Sequence, residues 1–422
     1  MRWSAALSEA ADHESAAREV TETVRGQLDG PPDLLLLFAS PHHAAAWNEL
    51  ARAVAAAFPG CPLVGCSGAG VIGDAHEVEQ RRAVSLVAAR LPGVRVHPFA
   101  VAPTSWPDDD DDPAPRAAWC DHLELPPDLP VETILLFPEP FGGQAERLVA
   151  AFGRAFPEAV LLGGVAGGAP FPGGSALFLG GRAIPLGAVG VVLSGAIEVV
   201  PIVSQGCRPV GPPLLVTKAA GTEIHALGER PPREVLREIY EGLEPAEQEL
   251  FRRSLFVGVE AEPERVQHQD GAWLVRNIRG VDVESGALAI AARVEPWQVV
   301  QFLVRDAHAA DVDLRARLQS YRAALPVSSP DDASPAAAAV LMFTCAGRGL
   351  SLFGRPDHDV DRAIEVLGDA PLGGVFCSAE IGPVGSRAFV HGFTTVLGVI
   401  RARPAAPAPA ASGRARRSAT ST

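Results

Sequence analysis

Short apolar runs alternate along this chain with polar, glycine-rich segments. Leu34–Phe38 is an apolar run of the buried-strand type, and the segment before it, 14–29, has the periodicity of an amphipathic helix. The pattern next predicts a helix, a strand, a glycine-rich turn (GCSGAGVIG) and a last strand, at 44–58, 63–64, 65–73 and 83–89. The first part of the chain therefore predicts a strand–helix–strand–strand unit.

The same order of elements recurs twice further along the chain. The second copy opens with the strand ILLFPEP (134–140) and the third with VLMFTCA (340–346). In each copy a strand phenylalanine precedes a glycine by 26 to 30 residues, in the pairs Phe38–Gly65, Phe137–Gly163 and Phe343–Gly373. This spacing indicates an internal repeat. In the third copy Asp357 or Asp359 is expected to cap the helix that follows.

Residues 198–325, between the second and third copies, follow a different pattern. Short apolar runs alternate with Asp-Gly and Ser-Gly turn signals, which is typical of antiparallel hairpins, and helices are predicted at 233–250 and 307–325. The fold class predicted is α/β (α+β), with two mixed-sheet domains built partly from repeated units. The predicted divisions are a helical lead-in, two domains and a disordered tail, at 1–32, 33–225, 226–402 and 403–422, with linkers at 106–115 and 328–339.

Composition removes several classes of protein. The net charge of −14 argues against a nucleic-acid partner, because phosphate contacts need a basic face. Six cysteines without a CxxC pair predict free thiols and no zinc ribbon, and no GK[ST] phosphate loop is present. No secretion signal is recognised, and the uncharged stretch 159–181 is interrupted by glycine and proline. We therefore expect a soluble, cytoplasmic protein without a metal, cofactor or membrane partner.

Three polar motifs of the third copy are the candidates for function: FTCAGRG (343–349), SAEIGP (378–383) and HGFT (391–394). Each adjoins an apolar run, and polar groups at strand ends are the usual lining of ligand sites in α/β folds. In the first copy, GCSGAG offers backbone N–H groups that could form an anion nest. The predicted ligand-binding residues are Cys345, Arg348, Glu380, His391, Cys66 and Ser67.

Each assignment has a structural alternative in the sequence. Cys345 is equally suited to a core position, Arg348 to an ion pair with Glu380, and His391 to a hydrogen bond with a backbone group. A triad of Cys345 or Cys66 with His391 and Glu380 is a further alternative, although no nucleophile elbow is present. No residue is predicted to be catalytic.

Taken in order, the motifs resemble the FIST family of intracellular signal-transduction sensory proteins. Its amino-terminal domain is similar to GCSGAGVIG, LLGGVAGG, GAVGVVLSG, VSQGCRPVG and VTKAAG, and its carboxy-terminal domain to WLVRNIRGVD, GALAIAARV, QFLVRDA, MFTCAGRG, PLGGVFCSAEIGPVG and HGFTTVLGVI. The resemblance covers about 33–400. One departure is Ala379, which stands before Glu380 where the family has glycine, so the turn is expected to differ.

The resemblance implies binding of a small, amino-acid-like ligand and transmission of its occupancy to a signalling partner. Bacterial members are often fused to chemoreceptor, histidine kinase or cyclic-dinucleotide modules, which this chain lacks, so a kinase, receptor or cyclase is expected to act in trans. We expect a non-enzymatic cytoplasmic sensor whose Arg348 holds a ligand carboxylate and whose Glu380 holds an ammonium or hydroxyl group, between the two domains. The alternatives are a hydrolase or acyl-transfer enzyme using Cys345, and a protein-interaction scaffold.

Overall fold

The computed structural model of the protein describes residues 1–104, 106–107, 113–142, 144–261, 273–325 and 337–403. The aspartate run at 108–112, most of the second predicted linker, the Asp-Gly turn at 270–271 and nearly all of the predicted tail lie outside these ranges. The chain is 27% helix and 40% strand, arranged in mixed sheets and a barrel, which confirms the predicted α/β class. No helix in the described ranges is long and apolar enough to span a membrane.

The first predicted repeat is a unit of strands and helices that ends at Arg90. It opens with β1, a strand that was not predicted, because alanine and serine in RWSAALS carry little strand signal and pairing with β6 decides the conformation. The elements of unit 1 are β1 (Arg2–Ser8), α1 (His13–Gln27), β2 (Leu34–Ala39), a 3-10 helix (Pro41–Ala46), α2 (Trp47–Ala57), β3 (Leu63–Ser67), β4 (Gly70–Gly73), β5 (His76–Glu79) and β6 (Val84–Arg90).

Unit 2 repeats this order and begins, like unit 1, with a strand that pairs antiparallel with the last strand of its own unit. Its elements are β7 (Val94–Val101), α3 (Arg116–His122), β8 (Thr133–Pro138), α4 (Ala145–Ala155), β9 (Val160–Val165), β10 (Leu177–Leu179), β11 (Arg182–Ile184) and β12 (Ala188–Gly195).

A small antiparallel barrel is inserted before the third unit. Among the described residues six strands close on one another in the order β20-β15-β16-β19-β18-β17, and β14 extends one edge. The predicted helix 233–250 is two helices, broken by Gly242 and Pro245. The elements between unit 2 and β21, of which β13 and α7 lie outside the barrel sheet, are β13 (Ile197–Gln205), β14 (Cys207–Pro209), β15 (Leu214–Ala220), β16 (Glu223–Leu227), α5 (Pro232–Glu241), α6 (Pro245–Arg253), β17 (Leu255–Glu260), β18 (Trp273–Val281), β19 (Leu288–Ile290), β20 (Val299–Arg305) and α7 (Ala307–Ala324).

Unit 3 follows α7 and takes β13 as its leading strand, since β13 pairs antiparallel with β25. The elements of unit 3 are β21 (Ala339–Cys345), α8 (Gly349–Phe353), α9 (His358–Leu367), β22 (Leu372–Cys377), β23 (Ala379–Val384), β24 (Arg387–His391) and β25 (Thr394–Ala402). The threefold repeat predicted from the spacing is therefore present in the fold.

Each unit places its hairpin in the sheet of another unit. The hairpin β4–β5 of unit 1 pairs with β22, β10–β11 of unit 2 pairs with β3, and β23–β24 of unit 3 pairs with β9. The result, within the described residues, is three six-stranded sheets of equivalent strand order, each made from two units. The three units close into a ring, which we call the three-unit core.

One glycine of each unit allows the parallel strands of that unit to approach closely. Gly65, Gly163 and Gly374 occupy equivalent positions, and a Cβ atom at any of them would lie 1.8 to 2.0 Å from a backbone oxygen of the strand alongside. The sequence spacing pairs Phe343 with Gly373 in the third copy. In the structure Gly374 lies opposite Met342 and is the equivalent of Gly65 and Gly163. No side chain fits at these three positions.

The three strand phenylalanines used to detect the repeat meet in the centre of the ring. Phe38, Phe137 and Phe343 pack edge to face, with ring centroids 5.7, 5.8 and 6.4 Å apart. They belong to one hydrophobic cluster with strands of all three units. Residues on both sides of the predicted boundary at 225/226 share this core, and the boundary itself stays a prediction.

The helix caps of unit 3 come from unit 1. Glu77 Oε1 accepts hydrogen bonds from two N–H groups in the first turn of α9, both at 3.1 Å, and Glu79 Oε1 accepts one from Leu350 in α8 at 2.7 Å. The predicted cap was wrong: Asp357 instead accepts from the Glu77 N–H, and Asp359 binds an arginine. These contacts fasten the β4–β5 hairpin to the helices of unit 3.

The glycine requirement is tested by Gly374→Ala, with Gly153→Ala as its control. We expect Gly374→Ala to lower the free energy of unfolding by about 3 kcal/mol, the upper end of the usual cost of overpacking, because the added methyl group meets backbone that cannot rotate away. Gly153 lies in α4 with no described atom within 4 Å of its Cβ position, so alanine there should add about 0.5–1 kcal/mol. Urea unfolding measures both, and equal stability of the two variants would contradict the close approach.

Candidate functional site

The three polar motifs predicted to converge do converge, at the ends of β21, β23 and β25. The backbone N–H of Thr394 donates to Glu380 Oε2 at 3.1 Å, and the Cys345 thiol interacts with the same carboxyl group. The N–H of Arg348 donates to the Cys345 carbonyl at 2.8 Å and closes the turn between them. Ligand binding by these residues stays a prediction, and the burial and hydrogen bonds of each side chain indicate how it could take part.

Glu380 occupies a position that is apolar in the other two units. It lies opposite Gly164 on β9, whereas the equivalent hairpin residues are Val71 in unit 1 and Leu177 in unit 2. The side chain is fully buried, and Oε1 has no hydrogen-bond partner among the described residues. Burial raises the pKa of this carboxyl group well above its usual value, although the Thr394 N–H and Arg348 oppose the shift. The protonated, uncharged form is therefore favoured.

Arg348 forms a buried ion pair, but not with Glu380. Its Nε and Nη2 atoms donate to the two carboxylate oxygens of Asp359, at 2.5 and 3.3 Å, and both side chains are almost completely buried. The third nitrogen, Nη1, has no partner in the part of the chain that the structure describes. Nη1 faces Gly206, where a Cβ atom would be only 3.2 Å away. The Arg348–Glu380 pair considered from the sequence is not formed.

Cys345 is not in the environment of a nucleophile. Burial, and then the neighbouring Glu380, raise the pKa of the thiol to about 12, while N–H groups of Gly347 and Phe393 lower it by less. His391 is turned to another partner: its Nε2 is 3.0 Å from the Gly382 carbonyl, and burial lowers the pKa of the ring to about 4. Within the described residues no hydrogen bond joins Cys345 to His391.

The residues predicted from GCSGAG hold units together. Ser67 Oγ donates to the Gly167 carbonyl and accepts from the Ala176 N–H, both at 3.0 Å. Cys66 is fully buried in the central cluster, which raises the pKa of its thiol. Both hydrogen bonds of the Ser67 hydroxyl therefore join unit 1 to unit 2. Ligand binding by Ser67 and Cys66 stays a prediction.

The anion nest expected in GCSGAG is not available to an anion. Its N–H groups donate to backbone carbonyls instead, at 2.8 to 3.0 Å, in the pairs Ser67 to Ala176, Gly68 to Ala39 and Ala69 to Phe376. The bond from Ala69 to Phe376 has an equivalent in each of the other two units, from the Gly167 N–H to the Ser67 carbonyl and from the Ser378 N–H to the Val165 carbonyl. The glycine-rich segments of the three units thus form a cycle of hydrogen bonds at one end of the ring.

Other residues of the site were not predicted from the sequence. Asp359 was assigned as a helix cap, and no local pattern indicates that it neutralises Arg348. Phe393 has a backbone φ of 60°, unusual for a bulky residue, and its ring packs on Phe256 of the inserted barrel with centroids 4.1 Å apart. Its carbonyl accepts from the Gly206 N–H at 2.8 Å. The barrel thus contacts the HGFT motif directly.

A metal centre finds no support in the described ranges, where no group of three or more His, Cys, Asp or Glu residues is arranged to hold an ion. The half-buried cysteines at 61, 120 and 207, like the buried ones, are unpaired thiols in this structure.

Comparison with known proteins gives matches along most of the chain. The family model of the FIST N domain matches residues 33–230 and that of the FIST C domain matches residues 232–383. An uncharacterized protein of Mycobacterium tuberculosis is 36% identical over 399 residues, 94% of this chain and 99% of that protein. An uncharacterized protein of Mycobacterium bovis is 34% identical over 406 residues, 94% of this chain and 98% of that protein.

Among solved structures, cyanuric acid hydrolase from A. caulinodans aligns with 95% of this chain and 99% of its own. It is 10% identical with a TM-score of 0.30, which is too low to carry an argument about this protein.

The buried ion pair is tested by a double-mutant cycle on Arg348 and Asp359. Arg348→Met alone removes the guanidinium from the buried Asp359 carboxylate and leaves only the His358 ring, whose Nδ1 is 2.9 Å from Oδ1, beside it, so it should lower the free energy of unfolding by about 3–5 kcal/mol. Adding Asp359→Asn removes that charge and should recover most of the loss. Urea unfolding of the parent, the two single variants and the double variant gives the coupling. Additive losses would show that the two groups do not interact as described.

The reactivity of Cys345 is tested by iodoacetamide labelling at neutral pH. In the folded protein Cys345 should stay unmodified, because its thiol is buried and its pKa is raised to about 12. The same protein in urea is the control, in which Cys345 must react. Rapid modification of Cys345 in the folded state would favour the enzymatic alternative.

Proposed function

We propose, because this chain belongs to the FIST family, that it is a sensory protein that binds a small ligand at the cluster of Arg348, Glu380 and Cys345. FIST domains are consistent with a sensory, ligand-binding role. To this general role we add the residues that would bind the ligand, the chemical class of the ligand and the kind of partner protein that would respond to it. No catalytic residue is assigned.

Two unpartnered buried atoms carry this proposal. Arg348 Nη1 and Glu380 Oε1 lie in neighbouring motifs, each on a side chain that is at most 1% exposed, and neither has a hydrogen-bond partner among the described residues. A buried polar group left in this state costs about 1–3 kcal/mol. A polar ligand that reaches both atoms would regain that free energy on binding, which gives the site affinity for such a ligand.

The class of ligand we propose is an amino-acid-like or other anionic metabolite. Arg348 Nη1 would donate to its carboxylate, and Glu380 would bind an ammonium or hydroxyl group, whose arrival restores the charge of the carboxylate. Cys345 would line the same space. Neither a cofactor nor a metal is needed for this role.

We further propose that the protein works in the cytoplasm and passes ligand occupancy to a kinase, receptor or cyclase in trans. A cysteine-dependent hydrolase or acyl-transfer enzyme is the weaker alternative, because a thiol of raised pKa is a poor nucleophile at neutral pH. A scaffold without a ligand is the other alternative, and a thermal-shift screen of candidate ligands separates it from a sensor.

Glu380→Leu separates binding from stability. Because Val71 and Leu177 occupy the equivalent positions, leucine restores the apolar pattern and removes an unpartnered oxygen, but it also leaves the buried Thr394 N–H without its acceptor. Each effect is about 1–3 kcal/mol and they oppose each other, so the free energy of unfolding should stay close to that of the parent. The same change removes one of the two unpartnered atoms. A thermal-shift screen of amino acids and small carboxylates should therefore find compounds that stabilise the parent chain but not this variant.

Glu380→Gln is the matched control, since it keeps the size of the side chain and its capacity to accept a hydrogen bond. Compounds that contact this position through a hydroxyl group should retain most of their effect on this variant, whereas ammonium-bearing compounds should lose part of theirs, because glutamine cannot acquire a negative charge. Compounds that stabilise Glu380→Leu as strongly as the parent would place the ligand elsewhere. A screen with no stabilising compound would favour the scaffold.

A further inference from the structure

Arg305 brings a second guanidinium from the inserted barrel to the candidate site. It ends β20, pairs in register with Cys207 of β14 and is half-buried. Its Nη1 donates to the Gly347 carbonyl at 2.8 Å, within the turn that joins Cys345 to Arg348. The guanidinium lies over the ring of Phe393, 5.9 Å from its centre. Arg305 therefore contacts two of the three motifs that form the site.

The charge of Arg305 is not neutralised by a neighbour. In the described part of the chain no carboxylate forms an ion pair with it, and its hydrogen bond to Gly347 uses one of five N–H donors. Arg208, on the neighbouring strand β14, is by contrast paired, with Asp306 at 2.8 Å and Glu247 at 3.1 Å. Arg305 keeps both its charge and most of its donors for another partner.

The other ionisable groups of the site contribute little net charge. Arg348 is compensated by Asp359, and burial holds Glu380 toward its uncharged form. Arg305 and Arg348 both act on the thiol of Cys207, yet burial raises its pKa to about 12. The site is thus left with one uncompensated positive charge, and that charge belongs to Arg305. A ligand with one negative group would complement it.

We propose that Arg305 holds the anionic group of the ligand, so that a bound ligand connects the inserted barrel to the three-unit core. This rests on the proposed ligand site at Arg348 and Glu380 and assigns the recognition of charge to a different residue. The guanidinium of Arg348 is mostly committed to Asp359 and offers only Nη1.

A ligand held in this way would join the inserted barrel to the three-unit core beside the existing hydrogen bond from Arg305 to the Gly347 carbonyl. The N–H of Gly206, the residue that connects β13 of unit 3 to β14 at the edge of the barrel, donates to the Phe393 carbonyl, and the neighbouring Thr394 N–H donates to Glu380. A series of hydrogen bonds therefore runs from the start of the barrel through the HGFT motif to Glu380. Occupancy would restrain the barrel relative to the core, which gives a partner protein a surface that differs between the free and bound states.

The test compares Arg305→Gln with Arg279→Gln, which removes the same charge from an exposed position on β18 of the same barrel. The probes are the amino acids that stabilise the parent chain and the same compounds with the carboxyl group replaced by a carboxamide. The parent and Arg279→Gln should bind the carboxylate forms at least about tenfold more tightly than the carboxamides. Arg305→Gln should lose this preference, and Arg305→Lys should recover part of it.

Hydrogen exchange gives a second readout that does not depend on affinity. Ligand should slow exchange of the Gly206 N–H in the parent and in Arg279→Gln, but not in Arg305→Gln. If Arg305→Gln keeps both the carboxylate preference and the slowed exchange while Glu380→Leu abolishes binding, the ligand site stands and the role of Arg305 is overturned. If no compound stabilises the parent chain, the proposed function fails and this inference fails with it.

Discussion

The exchange of hairpins between units is the constraint on which the rest of the structure depends. No unit completes its own six-stranded sheet, because the outer two strands of each sheet come from another unit. The parallel strands of each unit approach closely at Gly65, Gly163 and Gly374, and the closed ring brings three phenylalanines together at its centre. The units are therefore interdependent in folding, and the two matched family domains share one core.

The candidate site lies where this threefold arrangement is broken. Two of the equivalent hairpin positions carry Val71 and Leu177, and the third carries Glu380, a carboxyl group placed in an apolar interior. Such a substitution costs stability unless the group has another use, and functional sites are where proteins retain that cost. The asymmetry, more than any single motif, distinguishes this interface from the other two.

The inserted barrel packs against the candidate site on the side of Phe393. Phe393 joins the two parts: its backbone lies in the left-handed region, its ring packs on the barrel, and its neighbour Thr394 bonds to Glu380. A bulky residue in that conformation is strained, and strain of this kind persists where the surroundings enforce it. The contact between barrel and core is therefore part of the same arrangement that positions Glu380.

The sequence by itself determined the repeat, most helices and strands, the family and the convergence of the FTCAGRG, SAEIGP and HGFT motifs, because each leaves a local pattern of apolar runs, turns and spacing. Only the tertiary structure decided that the hairpins exchange, that 2–8 is a strand, that Glu77 caps a helix some 280 residues away, and that Arg348 pairs with Asp359. Contacts between residues distant in the chain depend on how finished elements pack, and no local periodicity records them.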